Sequence, residues 1–208
     1  MACCVCKYVK QNAKSKSCRA QYNFVTCGSM EDPKYAAWLA AFGNDFCFQE
    51  SVKYFNVFSR RIAYTTCCWA NRCEWEKVLT TLRLGCCDAN DRVYFPERVL
   101  QASLLQVATS NADLSTMRAL VHEFGARLDA CDSNKHTVLM YAVFVRSLEK
   151  VQWLLQFPDI VIFGVDKEGR AAYNYTMLAG DYHIGAAIAA RVRWSSRRAA
   201  WLAACVRA

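Results

Sequence analysis

The chain has 208 residues, 54 % hydrophobic and 21 % charged, and carries a formal net charge of +8. That balance excludes a disordered chain; no apolar run nears the ~18 residues of a membrane helix, and the first residues lack the long apolar stretch of a secretory signal. The charge is divided: residues 1–87 hold 12 Lys/Arg and 6 Asp/Glu, residues 88–190 hold 9 and 12, and residues 191–208 hold five arginines and no acid, so the middle lacks the continuous basic face that nucleic acid would ask for.

Residues 1–33 form a Cys-rich basic segment. Cys3, Cys4 and Cys6 precede Lys7, Lys10, Lys14, Lys16 and Arg19. Clustered cysteines beside cations fit S-acylation at a membrane surface, where one chain plus a basic patch suffices to hold a protein. Ala2 excludes N-myristoylation, which needs glycine there. Two other readings stand beside this one: unmodified thiols on a frayed terminus, or a zinc site made from the Cys3–Cys6 pair with Cys18 and Cys27. No second C-x-x-C pair supports the zinc site, and no metal ligand set is assigned. The chain has 13 cysteines. An odd count in a chain of this length fits a reducing compartment better than a disulfide framework, so Cys67, Cys68, Cys73, Cys86 and Cys87 are expected as small core residues.

Residues 34–96 read as a helical region. Lys34–Phe58 suggests one helix pair, and Trp75, Val78 and Leu79 mark a helix that ends near Gly85.

Residues 97–190 hold the most regular pattern. Asp132 and Asp166 lie 34 residues apart, and the same interval carries Thr137 onto Ala171 and Leu139 onto Tyr173. Self-similarity at such a period indicates stacked units. In the middle unit Thr137 caps a helix whose Leu139, Ala142 and Val143 face inward. Arg146 and Ser147 make a turn. A second helix carries Leu148, Val151, Leu154 and Leu155 on one side and stops before Pro158. An extended Ile160–Phe163 leads to the next unit. One period earlier, Ser103–Ala108 and then Leu114, Met117, Leu120 and Val121 supply another pair.

Helix, turn, helix and outgoing hairpin in about 33 residues resembles the ankyrin repeat. Asp132, Thr137, Leu139 and Ala142 match the family's Asp-x-x-Gly-x-Thr-Pro-Leu-His-x-Ala, and Asp166, Gly169 and Gly180 match in the next unit. Leu148–Leu155 is similar to the family's second helix, and Phe124–Asp129 to its closing Gly-Ala-Asp-Val-Asn. The resemblance is best over residues 97–190, as three units, and extends with degenerate units to about residue 60. Val138 and Ala172 replace the proline, Met140 and Asn174 the histidine. Lys135 stands where a glycine would supply a positive φ, which predicts a distorted turn.

The resemblance implies an all-α, ankyrin-type solenoid of stacked helix-turn-helix units with short hairpin loops. It implies a protein partner on the concave face, no cofactor and no small-molecule substrate. The hairpin-tip candidates are Ser133, Asn134, Lys135, His136, Lys167, Glu168 and Arg170. The first-helix candidates are Tyr141, Phe144 and Tyr175, with Val107, Ser110, Asn111, Val145 and Leu178 also expected exposed. Aromatic and cationic side chains of this kind anchor protein interfaces; the other reading of Tyr141 and Phe144 is that they pack on neighbouring units. Residues 191–208 read as a basic amphipathic capping helix, with a membrane surface or an acidic groove as the alternative.

No P-loop, dinucleotide, nucleophile-elbow or zinc-protease motif is present, and His122, His136 and His183 are read as packing or surface residues. The expectation is a non-catalytic intracellular adaptor. Alternatives are a membrane-tethered form of the same scaffold, a nuclear location, and a helical domain with a zinc or thiol site in residues 1–87.

Overall fold

The computed structural model describes residues 32–51, 58–95 and 100–193. The described chain is mostly helical, with ten helices and one two-stranded sheet among the described residues. It divides into two compact units, residues 1–101 and 102–208. The division falls a few residues beyond the boundary expected at residue 96.

The first unit contains α1 (Pro33–Phe42), α2 (Phe46–Ser51), α3 (Phe58–Asn71) and α4 (Trp75–Arg83), then strand β1 (Arg92–Phe95) and the start of β2 (Leu100–Ser103). Asp32 caps α1 by accepting from the Lys34 amide at 3.0 Å, with Pro33 at the first helical position where its missing N–H costs nothing. Trp38 and Trp69 are fully buried with ring centroids 5.9 Å apart, and the Trp38 Nε1–H donates to Thr81 Oγ1 at 3.0 Å. A buried indole usually finds such an acceptor, though Trp69 Nε1 has no hydrogen-bond partner among the described residues. Cys67 and Cys68 are core residues, as expected, and so is Cys47, whereas Cys86 and Cys87 are only half-buried. Cys73 is exposed, in the α3–α4 turn, with φ of +63°. Helix pairs occur in this unit, but their starts do not keep an interval of 34.

The second unit contains α5 (Leu104–Asn111), α6 (Leu114–His122), α7 (Val138–Phe144), α8 (Leu148–Leu154), α9 (Ala172–Ala179) and α10 (Tyr182–Arg193). First helices begin at residues 104, 138 and 172, second helices at 114, 148 and 182. Every interval is 34.

The caps recur in the same register. Ser103 Oγ accepts from the Gln106 amide while Gln106 Oε1 accepts from the Ser103 amide. Thr137 and Met140 repeat the exchange with sulfur as one acceptor, Met140 Sδ taking the Thr137 amide at 3.4 Å. Ala171 has no hydroxyl, so only half survives: its amide donates to Asn174 Oδ1 at 2.9 Å. Two orphan donors are thus satisfied in the first two units and one in the third.

Leu139, Ala142, Val143, Val151 and Leu154 are buried as the periodicity requires. Leu148 departs from the expectation and is exposed, because it is the first residue of α8 and lies beside the turn. Ile160–Phe163 forms no strand, although Ile160 and Ile162 are buried. Helix α10 runs through Arg193, with Val192 buried and Arg191 Nε donating to Leu155 O at 3.1 Å. The boundary expected after residue 190 therefore falls inside a helix, and residues 194–208 of the expected cap lie outside the described residues.

Candidate functional site

Two hairpin tips, each organised by one buried aspartate, dominate the second unit. Asp132 Oδ1 accepts from the backbone amides of Asn134 and His136, each at 2.7 Å, and Oδ2 accepts from the Tyr141 hydroxyl at 2.9 Å. Thirty-four residues on, Asp166 Oδ1 accepts from the amides of Glu168 and Arg170 at 2.8 and 2.9 Å, and Oδ2 from the Tyr175 hydroxyl. The backbone closes identically: Asp132 N donates to His136 O and Asp166 N to Arg170 O, each at 3.0 Å. A short polar side chain that bonds its own backbone two and four residues on makes the turn without a longer strand ladder.

Lys135 sits at φ +65° where Gly169 sits at +79°. The turn expected to distort without glycine keeps its geometry instead. The lysine adopts the left-handed conformation, and the same aspartate bonds hold it there.

The tips are joined. The Lys167 amide donates to Asn134 O at 3.1 Å. His136 Nδ1 lies 2.9 Å from Asp132 Oδ2, and its Nε2 lies 3.8 Å from Asp166 Oδ2. Gln106, fully buried on α5, donates Nε2–H to His136 O at 2.7 Å. One amide side chain therefore serves a helix cap and the neighbouring tip together.

Over this polar layer lies an aromatic cluster. Phe144 meets Tyr175 at 4.7 Å and His136 at 5.3 Å between ring centroids, both near 89°, and Tyr141 at 5.9 Å. Perpendicular contacts of this kind are favourable for aromatic quadrupoles. The Arg170 guanidinium lies 4.8 Å from the Tyr175 ring centre and pairs with Glu168. Phe144 remains 42 % exposed and Leu178, one turn beyond Tyr175, 71 %, so apolar surface faces solvent beside the tips.

Burial works to raise the Asp166 carboxyl; the Tyr175 hydroxyl, the Arg170 amide and guanidinium, and His136 outweigh it and hold it below its ordinary value. Burial and then the Asp166 charge push Tyr175 up to about 12. The phenol therefore stays a donor across physiological pH.

The structure brings most of the expected partner-binding residues to one face, but not all in the expected state. Ser133, Asn134, Lys135, Lys167, Glu168 and Phe144 are exposed, and so are Ser110, Asn111, Val145 and Leu178. His136, Arg170, Tyr141 and Tyr175 are only partly exposed, with both tyrosine hydroxyls bound to the tip aspartates. Val107, expected exposed, is buried, on a helix that packs against α7. The lipidation candidates Cys3, Cys4 and Cys6, and the Cys18 and Cys27 of the zinc reading, lie outside the described residues.

Sequence reasoning missed the aspartate–tyrosine pairs and the Gln106 strut. A signal was available: a tyrosine follows each tip aspartate by nine residues, at 141 and 175. No group of three or more His, Cys, Asp or Glu is placed to hold a metal among the described residues, and no described helix is long and apolar enough to cross a membrane. No protein-family model matches the chain, and no curated protein matches its sequence significantly.

Proposed function

We propose that the chain is a non-catalytic protein-interaction scaffold, an ankyrin-type solenoid in its second unit, that binds a partner protein through the hairpin tips and first helices. The observation that carries this reading is the 34-residue recurrence of helix starts, caps and tip hydrogen bonds, with apolar side chains left exposed beside the tips. Repeated units that bury their helices against one another give a rigid surface whose tips are free to vary. Phe144, Val145 and Leu178 supply apolar anchors, and Ser133, Asn134, Lys135, Lys167 and Glu168 a polar rim. That is the anatomy of a protein interface: an apolar core within a polar border.

Val143 is 2 % exposed and its counterpart Met177 48 %; Leu148 is 36 % exposed and Tyr182 68 %. Each position is thus more open in the last unit than in the one before it, and a stack needs such an end covered.

The test is affinity capture from cells that make the protein, with the full chain as bait beside a Phe144→Asp/Leu178→Asp variant of unchanged circular dichroism. Specific partners retained by the native chain and lost by the variant support the reading. The same proteins on both baits, or none on either, would overturn it.

A further inference from the structure

The tip face holds its charges unevenly. Arg170 is paired with Glu168, and Arg146 with Asp181 at 2.6 Å. Asp132 and Asp166 are buried and consumed by the tip hydrogen bonds. Lys135 and Lys167 are left over: each is exposed at a tip, and neither has a carboxylate within ion-pair distance among the described residues. Both belong to the framework around the aromatic cluster. Lys135 adjoins His136, whose ring meets Phe144 at 5.3 Å. The Lys167 amide is bonded to Asn134 O, so the second lysine is anchored to the first tip.

We propose that this face takes an acidic segment of a partner protein, with an apolar side chain seated on Phe144 and Leu178 and carboxylates meeting Lys135 and Lys167. The inference rests on the protein-binding reading and narrows it to a class of partner. Charge complementarity selects the occupant. The segments of this chain outside the described residues are basic or near neutral: residues 1–31 hold five Lys/Arg and one acid, and residues 194–208 hold three arginines and no acid. Such segments are repelled by the two lysines, whereas an acidic peptide is attracted and steered. Apolar contact supplies affinity at the centre, and rim charges supply register and association rate. The pairing is exposed to solvent, so salt screens it within a Debye length of about 8 Å at physiological strength.

The test selects a random 16-residue peptide phage library on the immobilised full chain at low and at physiological salt. Enriched peptides are expected to be net acidic around a Leu, Phe or Trp. Binding of a synthetic winner should fall about tenfold in K135E/K167E, each exposed pair being worth up to about 1 kcal/mol. It should survive in K135R/K167R, fall with added salt and vanish in Phe144→Asp. Neutral or basic winners that still need Phe144 would overturn the acidic class and leave the protein-binding reading standing. Winners indifferent to every one of these variants would overturn both. A peptide-free chain whose face is closed by concentration-dependent dimerisation in sedimentation, lost in K135E/K167E, would also overturn the inference.

Discussion

Replacing Asp132 with alanine removes the acceptor that organises a whole tip. Two backbone amides, the Tyr141 hydroxyl and the His136 ring lose their partner together. Bonds to a charged acceptor contribute about 1.5–3 kcal/mol apiece, but four donors sharing one carboxylate do not add, and the amides of the exposed tip recover water. A total of about 3–5 kcal/mol follows, a large part of the roughly 5–15 kcal/mol of an ordinary domain. Because the chain has two compact units, a single global midpoint is a poor readout. Hydrogen exchange over residues 131–145, compared with residues 58–83 as the internal control, reads the local opening free energy. The matching Tyr141→Phe change should cost about 1 kcal/mol in the native background and nothing beside Asp132→Ala. A loss under about 1 kcal/mol, or an undiminished Tyr141→Phe effect in the double variant, would refute the tip network as a structural unit.

Lys135→Gly, relieving a left-handed residue held at φ +65°, should stabilise the second unit by about 1 kcal/mol, and Gly169→Ala at φ +79° should destabilise it by about 1–2 kcal/mol; urea titration read by α7 and α9 exchange checks both. Lys150 Nζ donates to Thr109 O and Ala112 O at the end of α5, so Lys150→Met should cost about 1–2 kcal/mol through two orphaned helix carbonyls, seen as faster exchange at residues 112–116. Two aspartates, one in each unit, should respond to pH in opposite senses. Asp166, held low in the fold, contributes stability that is present above its unfolded value near 3.9 and lost as pH falls through its folded value; Asp166→Asn should flatten that acid loss. Asp91, pushed up to about 6 by burial, is protonated more readily in the fold, so its contribution is full below about pH 4 and lost as pH rises toward 6. Asp91→Asn should therefore stabilise the first unit by about 2 kcal/mol at pH 7.5 and hardly at all at pH 4.

Helix starts in the second unit were legible from local caps and, for α9, whose Ala171 has no hydroxyl, from the 34-residue interval. Ser103 and Thr137 are caps written in the sequence, and Leu139, Ala142 and Val143 fall on one helical face. The exposed Leu148 and buried Val107 were not legible, because periodicity assigns a face and does not reveal where a neighbouring turn uncovers it or a neighbouring helix covers it. Tip geometry was half visible. The 34-residue interval located both aspartates, but the loss of glycine at 135 misled, since a lysine can occupy the left-handed region when four hydrogen bonds fix the turn around it. The partial burial of Tyr141 and Tyr175 follows from those same bonds, which join residues nine apart and leave no mark on hydrophobic periodicity. In the first unit the pair α1–α2 and helix α4 were visible from apolar spacing and α3 was not, while Cys73 could not be told from its buried neighbours Cys67 and Cys68 by residue type.

The central claim is that one face of the second unit binds protein. Site-specific photo-crosslinking in living cells tests it most directly, with a benzophenone amino acid placed at position 144 or 178, and at the exposed positions 149 or 156 on the second-helix side as controls. The account predicts discrete protein adducts from 144 and 178, competed by salt and by K135E/K167E, and none of the same mass from 149 or 156. Equal adducts from both sides, or adducts from the control positions alone, would contradict it.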